Sequence, residues 1–296
     1  MLGHEKQGSA CRGPPQNRAP GLLAWYANRV GVLAMVVTTL LAWNACGASE
    51  RGERVGEGNE TPTAAERPSV IEQASPNPVS PAEPDSLREE TVVLGHLTTH
   101  IRGTGDRAVL LLHGYGAPGD DLVPLGEALA RALPGVVTLM PEAPQPFIHG
   151  DGGRAWYERS LPDPSGQIDS AREALTALLV AFEAREGIPP TRVVFAGFSM
   201  GATMSLELAL RGPHRPAAVV ALSGNALPRF GRRWTALRGV PLFVSHGRSD
   251  STLPFLHGER IRDRATAAGA RVTFVPFDGA HEIPPEVIDA LVAFLR

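Results

Sequence analysis

The run Gly197-Phe198-Ser199-Met200-Gly201 limits what this chain can fold into more than any other five residues in it. It follows the apolar stretch Val193-Val194-Phe195-Ala196 and leads into Ala202-Thr203-Met204-Ser205-Leu206, which has the composition of a helix. A strand and a helix must therefore meet across a turn of almost no length. Glycines two places either side of the serine suit such a turn, because side chains there would hold strand and helix apart. The serine is left in a strained conformation with its hydroxyl projecting above a sheet edge. The helix that starts beneath it offers backbone N–H groups to any negative charge that develops there. Taken alone, the pentapeptide also fits a plain turn whose serine caps the helix. The apolar strand in front of it is what favours a nucleophile.

From about residue 91, short β-branched runs alternate with longer helical patterns, the order that builds an α/β fold with a mostly parallel, doubly wound sheet flanked by helices. Strands are predicted over 107–112, 136–140, 192–197, 217–222, 240–245 and 271–276, and helices over 121–132, 168–186, 200–211, 255–268 and 284–295. The near-continuous Val, Leu, Ile and Phe of the strands fits a sheet covered on both faces. In the second helix Ile168, Ala171, Leu175, Leu178, Leu179 and Phe182 recur at three- and four-residue steps, which marks a core-facing stripe. Residues 91–296 suffice for one domain without a large inserted cap, so an open site is expected. The longest stretch without helical or strand pattern, 141–167, has the length of a functional loop.

Composition removes several classes of function. The formal net charge is -3, with a basic first 29 residues, an acidic segment from 47 to 90 and a nearly balanced remainder, so no face is predicted to attract nucleic acid. The two cysteines, Cys11 and Cys46, both precede the domain pattern. The domain can then hold neither a disulfide nor a cysteine-based metal site, and a nucleophile there must be another side chain.

A serine hydroxyl near neutral pH needs a base within hydrogen-bond reach, and the base needs an orienting carboxylate. Four histidines follow Ser199. His214 lies in a proline-flanked turn, His246 at a strand end and His257 at a helix start, and each reads as a packing or surface residue. His281, in Phe277-Asp278-Gly279-Ala280-His281-Glu282, falls between the last strand and the last helix, where a base would face the serine. For the acid, Asp250 ends Ser245-His246-Gly247-Arg248-Ser249-Asp250 in the loop after the strand 240–245. Asp278 is its rival, but a residue so close to His281 in the chain cannot easily reach the outward ring nitrogen. Early in the domain, Leu110-Leu111-Leu112-His113-Gly114-Tyr115-Gly116 is an apolar strand running into a glycine-rich turn. The N–H groups of Tyr115 and of Met200 are the candidate donors of an oxyanion hole, with His113 bracing the turn.

These pieces, together with Asp120 and Asp121, Pro141-Glu142-Ala143-Pro144, Gly152-Gly153-Arg154-Ala155-Trp156-Tyr157-Glu158 and the spacing His246-Gly247, Asp250, Leu253-Pro254, resemble the phospholipase/carboxylesterase family, which includes the acyl-protein thioesterases. The resemblance spans about residues 92–296. It implies a small α/β-hydrolase fold with no large cap domain, acting on a small ester or lipid-like substrate: a carboxylic ester, a thioester or a lysophospholipid. It also implies that Trp156 walls the substrate pocket, whereas the residue by itself reads equally as a buried aromatic of the core. The family commonly has Trp-Phe-Asp where this chain has Trp156-Tyr157-Glu158, and Gln where it has Met200. Ser199 as nucleophile, His281 as base and Asp250 as its orienting acid together need no metal and no organic cofactor. A non-catalytic binding protein on the same scaffold and a serine peptidase of related fold are the competing expectations.

Ahead of the domain, the uncharged run from Val30 to Trp43 follows Lys6, Arg12, Arg18 and Arg29, the layout of an export signal. At 14 residues it is short of the roughly 20 a bilayer span needs. Ala45-Cys46-Gly47 then resembles the end of a bacterial lipoprotein signal, which implies a lipidated Cys46 and a membrane tether in the envelope, with ordinary export to the periplasm or medium and an uncleaved anchor as the alternatives. Residues 1–46 are thus expected to be the signal, 47–90 an acidic proline-rich linker with too little apolar side chain to offset the entropy of ordering, and 91–296 the catalytic domain.

Overall fold

The computed structural model describes residues 87–296. The expected export signal with Cys46, and the linker as far as residue 86, lie outside the described residues. The strands run β1 Glu89–Leu94, β2 Leu97–Arg102, β3 Gly105–Leu112, β4 Gly135–Pro141, β5 Gln145–Pro146, β6 Arg154–Ala155, β7 Val193–Phe198, β8 Ala218–Leu222, β9 Pro241–Gly247 and β10 Arg271–Phe277. The helices are α1 Val123–Ala132, α2 Ser165–Glu186, α3 Met200–Arg211, α4 Leu256–Ala267 and α5 Pro285–Leu295, with 3-10 turns at Pro190–Arg192 and Pro228–Leu237.

Eight strands form one sheet in the order β1-β2-β4-β3-β7-β8-β9-β10. From β4 to β10 every neighbouring pair is parallel, and β2 pairs antiparallel with both β1 and β4. Alternate residues of each central strand serve opposite cores, as a doubly covered sheet requires. On β3, Leu110 and Leu112 join the cluster packed by α2, α3 and α4, whereas Val109 and Leu111 join the one packed by α1 and α5. The stripe Ile168, Ala171, Leu175, Leu178, Leu179, Phe182 is buried throughout, and α3 is buried on every side from Met200 to Leu210.

The hairpin β1–β2 is an addition to the predicted elements. Its strands, EETVVL and LTTHIR, carry charged and hydroxyl residues on an exposed side and so lack the continuous apolar run of the central strands. The joining pair Gly95-His96 has positive φ at both residues, 55° and 76°, the two-residue hairpin turn whose twist matches the strands. The segment 141–167 likewise holds a two-residue ribbon, β5 with β6, too short to leave a pattern in sequence.

One charged group is sealed inside. Glu207, on α3, has no exposed side-chain surface, and Arg172 of α2 (2.9 Å), Arg211 one turn on (3.2 Å) and Arg229 (3.6 Å) surround it. Arg172 and Arg229 also share Asp169. Two elements, α2 and the 3-10 turn Pro228–Leu237, are thereby clamped to the helix that follows Ser199. A buried carboxylate costs several kcal/mol to desolvate and is tolerated only when so paired. Glu207→Ala should accordingly lower the unfolding free energy by about 3 kcal/mol in urea titrations; a loss within experimental error would show that the cluster does not hold these elements.

Candidate active site

The parallel register brings four loops to one edge. Phe198 lies beside Leu222, Leu222 beside Ser245, and Ser245 beside Val275, so the residues just past this row all emerge at the carboxyl ends of the strands. There Ser199 adopts φ 56° and ψ -116°, a left-handed conformation that disfavours a side chain. The flanking glycines account for its being held. A Cβ on Gly201 would collide with the carbonyl oxygen of Leu112, at the end of β3. One on Gly197 would collide with the backbone of Gly201 itself. Helix α3 therefore sits directly on β7 and β3, and the Ser199 N–H is fixed to the Leu222 carbonyl at 2.8 Å.

The Ser199 hydroxyl lies 2.8 Å from His281 Nε2, and His281 Nδ1 lies 2.6 Å from Asp250 Oδ2. Since Nδ1 faces a carboxylate, it carries the ring proton, and Nε2 is left to accept from the serine. Asp250 Oδ1 in turn accepts the N–H groups of Thr252 (2.9 Å) and Leu253 (2.8 Å). The acid and base loops are stitched together by Arg248 N–H to Phe277 O and Ser249 N–H to Gly279 O, both 2.9 Å. Gly247 makes this approach feasible, because a Cβ there would strike the Ala280 carbonyl. Asp278 faces solvent with a side chain 94% exposed and pairs with Arg248 at 3.3 Å. The Phe198 ring packs 4.8 Å from the His281 ring and limits its tilt.

The turn after β3 comes alongside. A Cβ on Gly114 would lie 3.5 Å from that of Ser199, which places Tyr115 next to the nucleophile. Its neighbours make the turn's own bonds: Gly116 N–H to Arg154 O at 2.9 Å, and Arg154 N–H to Ala117 O at 2.9 Å. Met200 opens α3, where an N–H has no acceptor within the helix. His113 is almost fully buried; its Nε2 accepts the Ala143 N–H (3.0 Å), so its Nδ1–H donates to Gly114 O (2.8 Å). Burial pushes the His113 pKa down, which keeps the ring neutral in this bracing role.

Known proteins resemble this chain in sequence and in fold. The phospholipase/carboxylesterase family model fits residues 101–296. The chain belongs to that family. Acyl-protein thioesterase 1 of Eremothecium gossypii is 29% identical over 211 residues, covering 64% of this chain and 86% of that protein. Among solved structures, esterase PE8 is 27% identical with a TM-score of 0.61, covering 71% of this chain and 98% of its own. Acyl-protein thioesterase 2 of Zea mays is 26% identical with a TM-score of 0.52, covering 67% and 99%. As a phospholipase/carboxylesterase family member the chain has the α/β-hydrolase fold and is a serine hydrolase of the ester-cleaving type.

Where this family member departs from its relatives' common Trp-Phe-Asp, the structure corrects one expectation. Trp156 has no exposed surface and cannot wall a substrate pocket. Its indole N–H donates to the His113 carbonyl (3.0 Å) and its ring packs 5.5 Å from that imidazole, so it supports the turn from below. Two residues on, Glu158 accepts the Tyr115 hydroxyl (2.7 and 2.8 Å) and the Ser160 N–H (2.8 Å). The side chain of Tyr115 is thus tied down one residue after Gly114, which packs against Ser199. This pairing of residues 43 positions apart has no signal in a single sequence.

The Ser160 N–H first and the Tyr115 hydroxyl second lower the Glu158 pKa to about 2. A carboxylate depressed in the folded state contributes stability above its unfolded pKa and loses it as pH falls through the folded one. Urea midpoints of the wild type and Glu158→Gln should therefore differ most above about pH 4.5 and converge as the pH drops toward 2. A difference that stays constant across that window would remove Glu158 from this role.

Proposed function

We propose that this chain hydrolyses carboxylic esters by acyl transfer through Ser199, with thioesters and lysophospholipids open to the same chemistry. The observation that carries the proposal is the unbroken relay from Ser199 Oγ to His281 (2.8 Å) and from His281 to Asp250 (2.6 Å). As Ser199 Oγ attacks the carbonyl carbon, its proton passes to His281 Nε2. The imidazolium so formed is stabilised and held in plane by the Asp250 carboxylate. The carbonyl oxygen becomes an oxyanion between the N–H groups of Tyr115 and Met200, each such donor being worth roughly a hundredfold to a thousandfold in rate. His281 returns the proton to the leaving alcohol or thiol, and water then repeats the sequence on the acyl-enzyme. Ser199→Ala should lower kcat on short p-nitrophenyl esters by at least about ten-thousandfold with the fold unchanged; retention of most activity would reject Ser199 as nucleophile.

The proposal extends to location. The apolar run 30–43 after a basic segment, and Cys46 behind it, support export followed by lipidation at Cys46. Such an enzyme meets esters at the cell envelope in place of acyl groups on cytosolic proteins. In bacterial cells fed radioactive palmitate, the wild type should carry label and Cys46→Ala should not; equal labelling of the two, or none, would refute lipidation at Cys46.

A further inference from the structure

Asp250 faces a second histidine. His246, four residues before it at the end of β9, has no exposed side-chain surface. Its Nε2 lies 2.7 Å from the Leu253 carbonyl and 3.3 Å from Asp250 Oδ2, the same oxygen that holds His281. Both neighbours of Nε2 are pure acceptors, so the ring proton belongs there; it is donated to the Leu253 carbonyl, with Asp250 Oδ2 a close electrostatic neighbour. The other nitrogen, Nδ1, is buried with no hydrogen-bond partner, pressed against α4 where Gly258 stands. A Cβ on Gly258 would come within 2.7 to 2.9 Å of His246 Cβ, Cγ and Nδ1, so the helix carries a glycine where the ring must fit.

This arrangement costs stability and gains little packing. An orphaned buried nitrogen carries a desolvation penalty, and a leucine would fill the same space without one. The ring earns its place only through what its single N–H reaches. Leu253 N–H already donates to Asp250 Oδ1, so His246 closes the loop from its other end by holding the Leu253 carbonyl. Two backbone donors, the N–H groups of Thr252 and Leu253, hold the carboxylate directly, and His246 steadies the second of them through its carbonyl.

We propose that His246 is a positioning residue of the triad: its Nε2–H, donated to Leu253 O and standing beside Asp250 Oδ2, holds the loop that aims the Asp250 carboxylate at His281 and moderates the carboxylate's pull on the imidazole proton. The proposal rests on the triad reading above. Burial lowers the His246 pKa, which keeps the ring neutral and so leaves a single N–H to place. The titratable groups that face it are Asp250 and His281 from the site, and His257 from α4.

The test compares His246→Leu, which keeps bulk without an N–H, with His246→Gln, whose amide N–H reaches the Nε2 position. On a short p-nitrophenyl ester, His246→Leu should lower kcat about tenfold to a hundredfold with KM little changed. Its acid limb of kcat/KM should move to higher pH, because the carboxylate no longer stands beside that N–H. His246→Gln should restore most of both. Wild-type values in His246→Leu, or His246→Gln as slow as His246→Leu, would overturn the proposal. Nitrogen-15 NMR of the wild type provides a measurement that does not depend on either variant folding. It should find the neutral ring at pH 7 and above protonated at Nε2 and not at Nδ1, and the proton on Nδ1 would overturn the proposal. An inactive wild-type enzyme would instead refute the esterase reading, while the NMR result would still report on His246.

Discussion

The rest of the structure depends on one close approach of backbone to backbone. At the elbow, α3 rests on the end of β3 with Gly201 against the Leu112 carbonyl, and on β7 with Gly197 against Gly201. Neither contact leaves room for a single methyl group. The strain this places on Ser199, of the order of 1–3 kcal/mol for a non-glycine residue in such a conformation, is borne by the packing around it. That packing is complete, since α3 is buried on all sides from Met200 to Leu210 and Glu207 fastens it to its neighbours through Arg172 and Arg229.

The site is then assembled by strand ends and not by a cap. Parallel pairing from β3 to β10 aligns the turn of Tyr115, the elbow, the Asp250 loop and the His281 loop along one edge. Short backbone bonds between the last two loops set the separation of acid and base before any side chain is considered. On the opposite flank, His113, Trp156 and the Tyr115–Glu158 pair tie the oxyanion turn to the 141–167 segment. That long segment is a brace, which explains how a loop of its length stays ordered without strands of its own beyond β5 and β6.

Ser199, Asp250 and His281 are legible in the sequence because each follows a strand whose apolar run marks its own end, and chain order does the rest. The six central strands and five helices are legible for the same reason: burial on both faces or along a stripe imposes a period. What escapes is everything set by contacts between distant polar residues. Trp156 reads equally as a pocket wall or as core, and only its bond to the His113 carbonyl decides for core. The hairpin β1–β2 escapes because one exposed side breaks its apolar run. His246 reads as a packing residue, and its nearness to Asp250 emerges only once the loop between them folds back.

The central claim is that Ser199 alone is raised to a nucleophile by its setting. A fluorophosphonate probe, which captures only an activated serine, tests this most directly when the labelled protein is digested and the adduct mapped by mass spectrometry. The account predicts a single adduct, on the peptide that contains Ser199. Failure of the wild type to label, or an adduct on any other serine, would contradict it.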